Sequence, residues 1–386
     1  MKHLLKIVCL SMLVMLLALP VFAGGGSQTA GDVIKIGVFE PLTGANAAGG
    51  ALEVEGIRLA NELNPAVTVG GKTYKVELVI ADNRSEKVDA ANAMQRLVDL
   101  DKVNVVLGSW GSSLSMAGGE VNKGKVPAIG LSCTNPLVTL GNDWYFRVCF
   151  IDPFQGTVMA NYAFNDLKAK TAVIVQEVSN DYSVGLAKFF VDNFRRLTGN
   201  QNSILATVNY NTGDQDFSAQ LTTIRAQNPD VIFAPGNYTE SALVMKQARE
   251  LGINAPIIGG DTWETPEFID VGRERVEGAV FSTFFAAEYA GSPQAKTFLE
   301  EYAKRYNKEP AAVTALGYDG YLVALDAIKR ANSTDPAKIR DAIAKTSGFV
   351  GATGITTLDE NGDATKSAYI KAVQGGKFVF KTIVNP

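Results

Sequence analysis

The chain has 386 residues, of which 46% are apolar and 20% charged, and its formal net charge is −4. An acidic balance disfavours nucleic acid as a partner, because a phosphate-binding surface needs an excess of basic residues. So long a chain exceeds one ordinary hydrophobic core, and two domains are expected.

The N-terminal residues have the pattern of a secretory signal peptide over residues 1–23. Lys2 and Lys6 precede an apolar stretch at residues 7–22, which is too short and wrongly flanked for a membrane anchor. Cys9 lies inside this stretch, where it is a poor lipoprotein acceptor. We therefore expect a protein secreted to the periplasm, with no lipid anchor and no direct membrane insertion.

Cleavage after the signal changes the chemistry open to the mature chain. It leaves 34 basic against 40 acidic residues, so the net charge becomes about −6. It also removes His3, the only histidine, which excludes a Ser-His-Asp triad and a histidine metal site. Residues 24–31, rich in glycine, then predict a flexible lead.

Two cysteines remain, Cys133 and Cys149, and no Cys-x-x-Cys pair exists that would indicate a zinc site. They follow two neighbouring strand-like segments, so we expect their Cα atoms within disulfide reach, roughly 4.4 to 6.8 Å. An oxidising compartment favours a disulfide. Two reduced, buried thiols are the alternative, and the sequence leaves both open.

Short apolar runs alternate with helical patterns along the rest of the chain. Strand-like segments lie at residues 34–39, 76–80, 105–107, 128–131, 172–175, 204–208, 231–234, 257–258 and 279–281. Amphipathic helix patterns between them include residues 51–63, 87–100, 184–197 and 242–251. This alternation predicts parallel sheets with helices on both faces.

The order of elements also repeats within the chain. A strand at 105–108, a helix and Val-Pro-Ala-Ile-Gly at 126–130 recur as a strand at 231–234, a helix and Ala-Pro-Ile-Ile-Gly at 255–259. Two similar α/β lobes explain this repeat better than one continuous sheet.

The residues that follow these strands predict a ligand site. In an open parallel sheet, ligands bind beyond the carboxyl ends of the strands, where helix N-termini offer unpaired N–H groups. Residues 105–114 read VVLGSWGSSL, so that Gly111 allows close approach and Ser112 begins a helix. A capped turn would explain the glycines and serines. It would not explain Trp110, a large ring that needs a partner or a pocket wall.

Two further strand ends carry polar residues. Ser132, Cys133 and Thr134 follow one apolar run, and Asp261 follows the strand at 257–258. Asp261 alone would usually cap a helix, but across a cleft from hydroxyl groups it is a counter-charge for an ammonium group. Hydrogen-bond donors for a ligand carboxylate in one lobe, and an acceptor for a ligand ammonium group in the other, together describe an α-amino acid site.

Together with other short elements along the chain, these residues make the sequence resemble the periplasmic leucine/isoleucine/valine-binding proteins of ABC importers. The resemblance covers nearly the whole mature chain and rests on the order and spacing of short elements. These are IGV at 36–38 with PLTG at 41–44, the stretch at 108–113, TNP at 134–136, FR at 146–147 with QG at 155–156, DY at 181–182 with Gly185, DF at 216–217, PD at 229–230, QAR at 247–249 and GYD at 317–319.

The resemblance implies the α/β type I periplasmic-binding-protein fold, with two doubly wound parallel-sheet lobes joined by a three-stranded hinge. Lobe 1 should hold residues 32–152 and 286–352, and lobe 2 residues 153–285 and 353–386. The ligand would lie in the cleft between the lobes, which closes by a hinge motion. The family also implies a monomer that delivers its amino acid to an ABC transporter permease in the inner membrane, without a cofactor or a metal.

Individual roles follow from the same resemblance. Ser112 should bind the ligand carboxylate through its hydroxyl and backbone N–H, with help from Thr134. The backbone carbonyl of Ser132 and the carboxylate of Asp261 should bind the ammonium group. Five further residues complete the predicted ligand-binding set. Trp110 should form a wall of the site, Gly111 its turn, and Cys133 a neighbouring thiol. Tyr182 and Tyr238 should close the lobe 2 side.

Two positions depart from the family pattern. Asp261 stands where branched-chain binders commonly have glutamate, and Gly49 stands where an aromatic residue often lines the side-chain pocket. Both departures put leucine-type specificity in question and leave amino-acid binding intact. The expected ligand is thus a branched-chain, small apolar or aromatic amino acid.

Other functions remain as alternatives. A receptor of the same fold for an amide, a urea-like ligand or an aromatic carboxylate, used in transport or sensing, is one of them. An exported α/β hydrolase is disfavoured because the mature chain has no histidine and no Gly-x-Ser-x-Gly; the nearest string, at 108–112, reads GSWGS. No dinucleotide fingerprint or P-loop occurs either. We expect a binding protein and not an enzyme.

Overall fold

The computed structural model describes residues 33–386, and the predicted signal peptide and flexible lead lie outside the described residues. The strands are β1 (Val33–Glu40), β2 (Ala66–Val69), β3 (Lys72–Asp82), β4 (Val105–Gly108), β5 (Ala128–Gly130), β6 (Tyr145–Arg147), β7 (Ala172–Glu177), β8 (Ile204–Tyr210), β9 (Val231–Phe233), β10 (Ile257–Gly259), β11 (Val280–Thr283), β12 (Phe349–Gly351), β13 (Gly354–Thr356), β14 (Ala368–Gln374) and β15 (Lys377–Val384). The α-helices are α1 (Ala47–Leu63), α2 (Lys87–Gln95), α3 (Ser112–Asn122), α4 (Asp152–Asn161), α5 (Asp181–Thr198), α6 (Ser218–Gln227), α7 (Tyr238–Glu250), α8 (Pro266–Gly272), α9 (Pro293–Tyr306), α10 (Ala312–Ala331) and α11 (Pro336–Ala344).

Two sheets organise these elements. The first sheet has the strand order β2-β3-β1-β4-β5-β6, and the second has the order β15-β14-β11-β10-β9-β7-β8. We call the first sheet with α1–α3 and α9–α11 lobe 1, because α10 packs on α1 and α9 extends that layer. The second sheet with α4–α8 is lobe 2. In both sheets the central strands are parallel, as expected of doubly wound α/β units.

Each strand and helix segment predicted from the sequence overlaps an element of the structure. The predicted parallel sheets are confirmed, and the edges add antiparallel strands that the sequence did not indicate. Strand β2 pairs antiparallel with β3 through a two-residue glycine turn, and β14 and β15 form an antiparallel edge of the second sheet. A tight hairpin can join only antiparallel strands, so the β2-β3 and β14-β15 pairs follow from two-residue connections that the helix-strand rhythm does not reveal.

The chain passes between the two sheets three times: after β6, after β11, and between β13 and β14. A buried ion pair ties the first and third of these connections together. Arg147, at the end of β6, is fully buried, and its Nε lies 2.6 Å from Asp363 Oδ1. Its Nη1 also donates to the carbonyls of Cys133 and Asn135. The predicted lobe boundaries at residues 152, 286 and 352 stay predictions.

Helix α5 shows how local sequence places a residue at the cleft. Asn180 caps its start by accepting the Tyr182 N–H, and Gly199 ends it in a left-handed conformation. Its apolar face is buried against the second sheet, where Phe190 stacks on Phe233 with ring centroids 4.0 Å apart. The first turn, which carries Tyr182, therefore points to the space between the lobes.

Cys133 and Cys149 are both buried, free thiols in this structure. They belong to two different hydrophobic clusters, which lie on opposite sides of the first sheet's end. Burial raises the pKa of Cys133 to about 11 and that of Cys149 well above its usual value. The structure thus shows the reduced alternative, while the predicted Cα separation stays a prediction. None of the described helices is long and apolar enough to cross a membrane.

Candidate ligand-binding site

A cavity of about 440 Å³ lies between the lobes, at the carboxyl ends of the strands of both sheets. Lobe 1 contributes the turns after β1, β3, β4 and β5, and lobe 2 contributes those after β7, β8, β9 and β10. Helices begin at several of these turns and offer unpaired N–H groups to the cavity. Six of the residues predicted from the sequence line it: Trp110, Gly111, Ser112, Ser132, Tyr182 and Asp261.

Trp110 forms a wall of the cavity and is fixed from several directions. Its backbone N–H donates to Glu40 Oε2 at 2.7 Å. Its ring lies directly over Gly49 of α1, where an added Cβ would be 2.4 Å from the indole Cε2. Tyr238 of lobe 2 packs edge-to-face on it at 5.9 Å. A side chain at position 49 and the indole ring thus exclude each other.

Ser112 begins α3, and Gly111 is its N-cap residue. The Ser112 hydroxyl oxygen accepts the Asn135 N–H at 3.1 Å, which leaves its own proton available to a ligand. The first N–H groups of an α-helix have no partner within the helix and favour an anion. The start of α3 can therefore receive a carboxylate without a lysine or arginine.

Ser132 lines the same side of the cavity, but its hydroxyl is already engaged. It donates to Glu53 Oε1 at 2.5 Å, and Glu53 is fully buried in α1. Only the remaining polar groups of Ser132, including its backbone carbonyl, are left for a ligand. The role given to that carbonyl by the family resemblance stays a prediction.

Asp261 lines the cavity from lobe 2, just after β10. Its Oδ1 accepts hydrogen bonds from Gln155 Nε2 at 2.6 Å and from the Tyr182 hydroxyl at 2.9 Å. Burial raises the pKa of Asp261 to about 6, although these two hydrogen bonds oppose the rise. The carboxyl is therefore ionised at neutral pH. Oδ2 has no partner among the other described side chains, so it can accept from a ligand.

The remaining charged groups at the cavity already have partners or face solvent. Glu177 is buried and accepts from the side chains of Asn180 and Thr212 and from the N–H of Asn237. Lys87, at the cavity mouth, is paired with an aspartate of the other lobe. Asp261 is thus the buried carboxylate of this lining whose second oxygen is free to bind a ligand.

Cys133, Thr134 and Tyr238 were also predicted to contact the ligand, and the structure does not place them among the residues that line the cavity. Cys133 and Thr134 are fully buried behind Ser132. Tyr238 lies behind Trp110, and its hydroxyl donates to the Ala45 carbonyl of lobe 1 at 2.9 Å. These residues support the walls of the cavity, and a direct contact with ligand stays a prediction.

The two lobes are also joined by hydrogen bonds across the cavity mouth. Asp181 Oδ2 accepts from Lys87 Nζ at 2.7 Å and from the Ser113 hydroxyl at 2.8 Å. Although partial burial opposes it, these bonds hold the pKa of Asp181 below its usual value. Beside them, Asn237 Nδ2 donates to Asn46 Oδ1 at 2.9 Å.

Sequence reasoning missed these interlobe contacts and the role of Glu40 and Glu53 behind the wall. Asp181 belonged to the Asp-Tyr pair of the family pattern, which was the available signal. Its partners, however, lie about seventy or more residues away in the other lobe. No local pattern connects such pairs. Within residues 33–386, no cluster of three or more His, Cys, Asp or Glu side chains is placed to bind a metal ion.

Comparison with known proteins identifies the family. A family model described as periplasmic binding protein matches residues 33–377. An amino acid binding protein of Pseudomonas aeruginosa is 30% identical over 362 residues, which are 92% of this chain and 94% of the relative. Leu/Ile/Val-binding protein homolog 1 of Brucella suis is 28% identical over 354 residues, 91% of this chain and 92% of the relative. The chain belongs to the periplasmic binding protein family.

Solved structures of similar proteins support the same family assignment. The leucine binding protein LivK of Thermotoga maritima superimposes with a TM-score of 0.87 at 46% identity, covering 92% of this chain and 99% of LivK. The substrate-binding protein LivJ of Streptococcus pneumoniae, solved with isoleucine, gives 0.84 at 35% identity, covering 92% of this chain and 100% of LivJ. The type I periplasmic-binding-protein fold and the resemblance to branched-chain amino acid binders are confirmed.

Proposed function

We propose that this protein captures an α-amino acid in the cleft and delivers it to the permease of an ABC importer. The observation that carries the proposal is the pairing of two receptors on opposite walls. The start of α3 with the Ser112 hydroxyl proton suits a carboxylate, and Asp261, with Oδ2 free, suits an ammonium group. Charge-assisted hydrogen bonds of this kind are the strong ones in a buried site.

The names of the relatives support a branched-chain or similar ligand, and the wall of the cavity supports an apolar side chain. Trp110, on which Tyr238 packs, presents aromatic carbon to the cavity. The proposed ligands are branched-chain, small apolar or aromatic amino acids. Binding followed by release to a permease needs no chemistry at the cleft, so the proposed role is not that of an enzyme.

A thermal-shift screen of the mature protein against all amino acids and common carboxylates tests the proposal. A ligand at one hundred times its Kd adds about 2.7 kcal/mol to the free energy of unfolding, which raises the Tm visibly. We expect shifts with one or more amino acids and none with the corresponding carboxylic acids that lack an amino group. A shift with benzoate or an amide, and with no amino acid, would contradict the proposal.

Replacing Ser112 with alanine should raise the Kd for the screened amino acid about tenfold, as expected for losing one hydrogen bond to a charged group. Binding should persist, because the N–H groups at the start of α3 still meet the carboxylate. Isothermal titration calorimetry measures both values. Ser179→Ala is the matched control, since this exposed hydroxyl lines the cavity mouth and bonds to Thr212 instead. An unchanged Kd for Ser112→Ala would remove its carboxylate role.

Lys87→Ala should raise the Kd by up to about fivefold, because a half-exposed ion pair between the lobes contributes roughly 0 to 1 kcal/mol. The effect should shrink at high salt, which screens such a pair. Lys188→Ala is the control: Lys188 makes an equally short ion pair, 2.7 Å from Asp192, but within α5 alone. If both variants changed the Kd alike, the pair between Lys87 and Asp181 would have no specific part in closing the cleft.

A further inference from the structure

Two glutamates lie directly behind the lobe 1 wall of the cavity. Glu40 ends β1, Glu53 lies in α1, and both are fully buried. Glu40 Oε2 accepts the Trp110 N–H at 2.7 Å, and Glu53 Oε1 accepts the Ser132 hydroxyl at 2.5 Å. One outer oxygen of each carboxyl therefore holds one cavity-lining residue in place.

The other two oxygens, Glu40 Oε1 and Glu53 Oε2, are buried and accept no N–H or O–H from any other described residue. The two carboxyl groups are neighbours, since each affects the pKa of the other through a side-chain hydrogen bond. Two carboxylates so placed would repel strongly in a low dielectric, whereas one shared proton makes a hydrogen bond and satisfies both oxygens. Two buried, neighbouring carboxyls, each with one oxygen that lacks a partner, suit an acid pair that shares one proton.

The surroundings favour retention of this proton. The titratable groups that face the pair are the Cys133 thiol, the Tyr145 phenol and, from lobe 2, the Asp261 carboxyl. None of them brings a positive charge. Burial and the charge of Glu53 raise the pKa of Glu40 well above its usual range, and burial raises the pKa of Glu53 to about 8.

Glycine at position 108 makes this arrangement possible. An added Cβ there would lie 2.2 Å from the Phe39 carbonyl oxygen and 2.3 Å from Glu40 Oε1. Any side chain at this turn would therefore displace the Glu40 carboxyl from the Trp110 N–H. The strand end that reads Leu-Gly-Ser-Trp is shaped to receive the carboxyl from β1.

We propose that Glu40 and Glu53 share one proton, and that this proton keeps Trp110 and Ser132 in the position that ligand binding requires. Neither glutamate lines the cavity, so they are positioning residues and act through Trp110 and Ser132. Loss of the proton would put a second charge on the pair, separate the carboxyls and move these two lining residues. The inference rests on the proposed function for its binding measurement only.

The expected result is that affinity for the amino acid falls at alkaline pH, because the pair of Glu40 and Glu53 loses its proton. Calorimetric Kd values for the amino acid found in the screen should be constant near pH 7. They should rise toward tenfold per pH unit above the pKa of the pair, because binding then requires uptake of one proton. Glu40→Gln replaces the proton by a permanent amide N–H donor, so its Kd should change less than twofold where that of the parent rises. Comparison of the two proteins at each pH cancels the titration of the ligand's own amino group.

The free energy of unfolding should also fall as the pH rises, in the same direction as the affinity. The folded pair binds more protons than the unfolded chain, so its contribution is fully present below the ordinary carboxyl pKa and is lost as the pH rises through the raised pKa. Glu240→Gln is the matched control. Glu240 is a buried carboxyl of lobe 2 with a pKa raised mainly by burial, and it does not line the cavity. This variant should keep the parent pH profile of ligand binding.

A readout without ligand separates this inference from the proposed function. Infrared difference spectra of the ligand-free protein, parent minus Glu40→Gln at neutral pH, should show a protonated carboxyl in the parent. Glu53→Gln provides a second variant if the first does not fold. If no screened amino acid binds, the proposed function fails. The infrared carboxyl signal still shows whether Glu40 and Glu53 share a proton. Absence of that signal, or an alkaline profile in Glu40→Gln parallel to that of the parent, would overturn the inference.

Discussion

Replacing Asp261 with alanine should abolish amino-acid binding at micromolar ligand while the ligand-free protein stays folded. Asp261 Oδ2 is the free oxygen of a buried, ionised carboxyl at the cavity. Removing one partner of a buried charge pair leaves the other desolvated and unpaired, which costs about 2–5 kcal/mol. Calorimetry should therefore show a Kd increase of roughly thirty-fold to several thousand-fold. Circular dichroism should show that the fold persists.

Glu86→Ala is the control for this experiment. Glu86 also lines the cavity, but it is exposed at its mouth, so its removal should change the Kd less than twofold. The pH dependence of the parent is a further check. Because the pKa of Asp261 is about 6, its protonation should weaken binding as the pH falls through that value. If Asp261→Ala bound the amino acid as tightly as the parent, a ligand without an amino group would be the better interpretation.

The second large effect is expected at Gly49, where alanine should lower affinity at least about fivefold. The new Cβ would lie 2.4 to 2.7 Å from three indole atoms of Trp110, so the ring must move. Overpacking of this kind costs about 1–3 kcal/mol and would push the ring toward the cavity. Calorimetry gives the Kd, and a thermal melt gives the loss of stability.

A double variant shows whether the collision is the cause. Trp110→Val removes the indole atoms and leaves room for a side chain at position 49. The double variant Gly49→Phe with Trp110→Val should therefore bind the amino acid more tightly than Gly49→Phe alone, because its new aromatic ring can replace the indole ring from the α1 side. Gly119→Ala is the matched control, since its added Cβ would meet its nearest neighbour at 3.4 Å, an ordinary contact, within α3. Equal losses for the alanine variants at positions 49 and 119 would contradict the explanation. The ring of Trp110 would then not be the element that Gly49 accommodates.

Apolar runs and helical periodicity determined most of the fold. A segment such as Val231–Phe233 is buried on both faces of a parallel sheet, and its apolar run marks it in the sequence. Polar residues at strand ends likewise indicated Ser112 and Asp261, because parallel strands deliver their carboxyl ends to one edge of each sheet. These are local signals, and the structure brings both residues to one cavity.

The tertiary structure alone decided which polar groups remain free for a ligand. Ser132 has a hydroxyl suited to ligand binding, but Glu53, from a helix far away in the chain, accepts its hydrogen bond. Thr134 follows the same strand and is turned into the interior. Hydrogen-bond partners of this kind are set by how helices pack on the sheet, and the sequence does not reveal them.

The sequence by itself determined two α/β lobes, the edge at which a ligand binds and the candidates Ser112, Trp110 and Asp261. Only the tertiary structure decided the antiparallel edge strands, the bonds between the lobes and the hydrogen bonds that Glu40 and Glu53 accept behind the cavity wall. The physical reason is the range of the interactions. Periodicity and capping act between residues a few positions apart, whereas burial brings together charges from separate segments and sets their protonation.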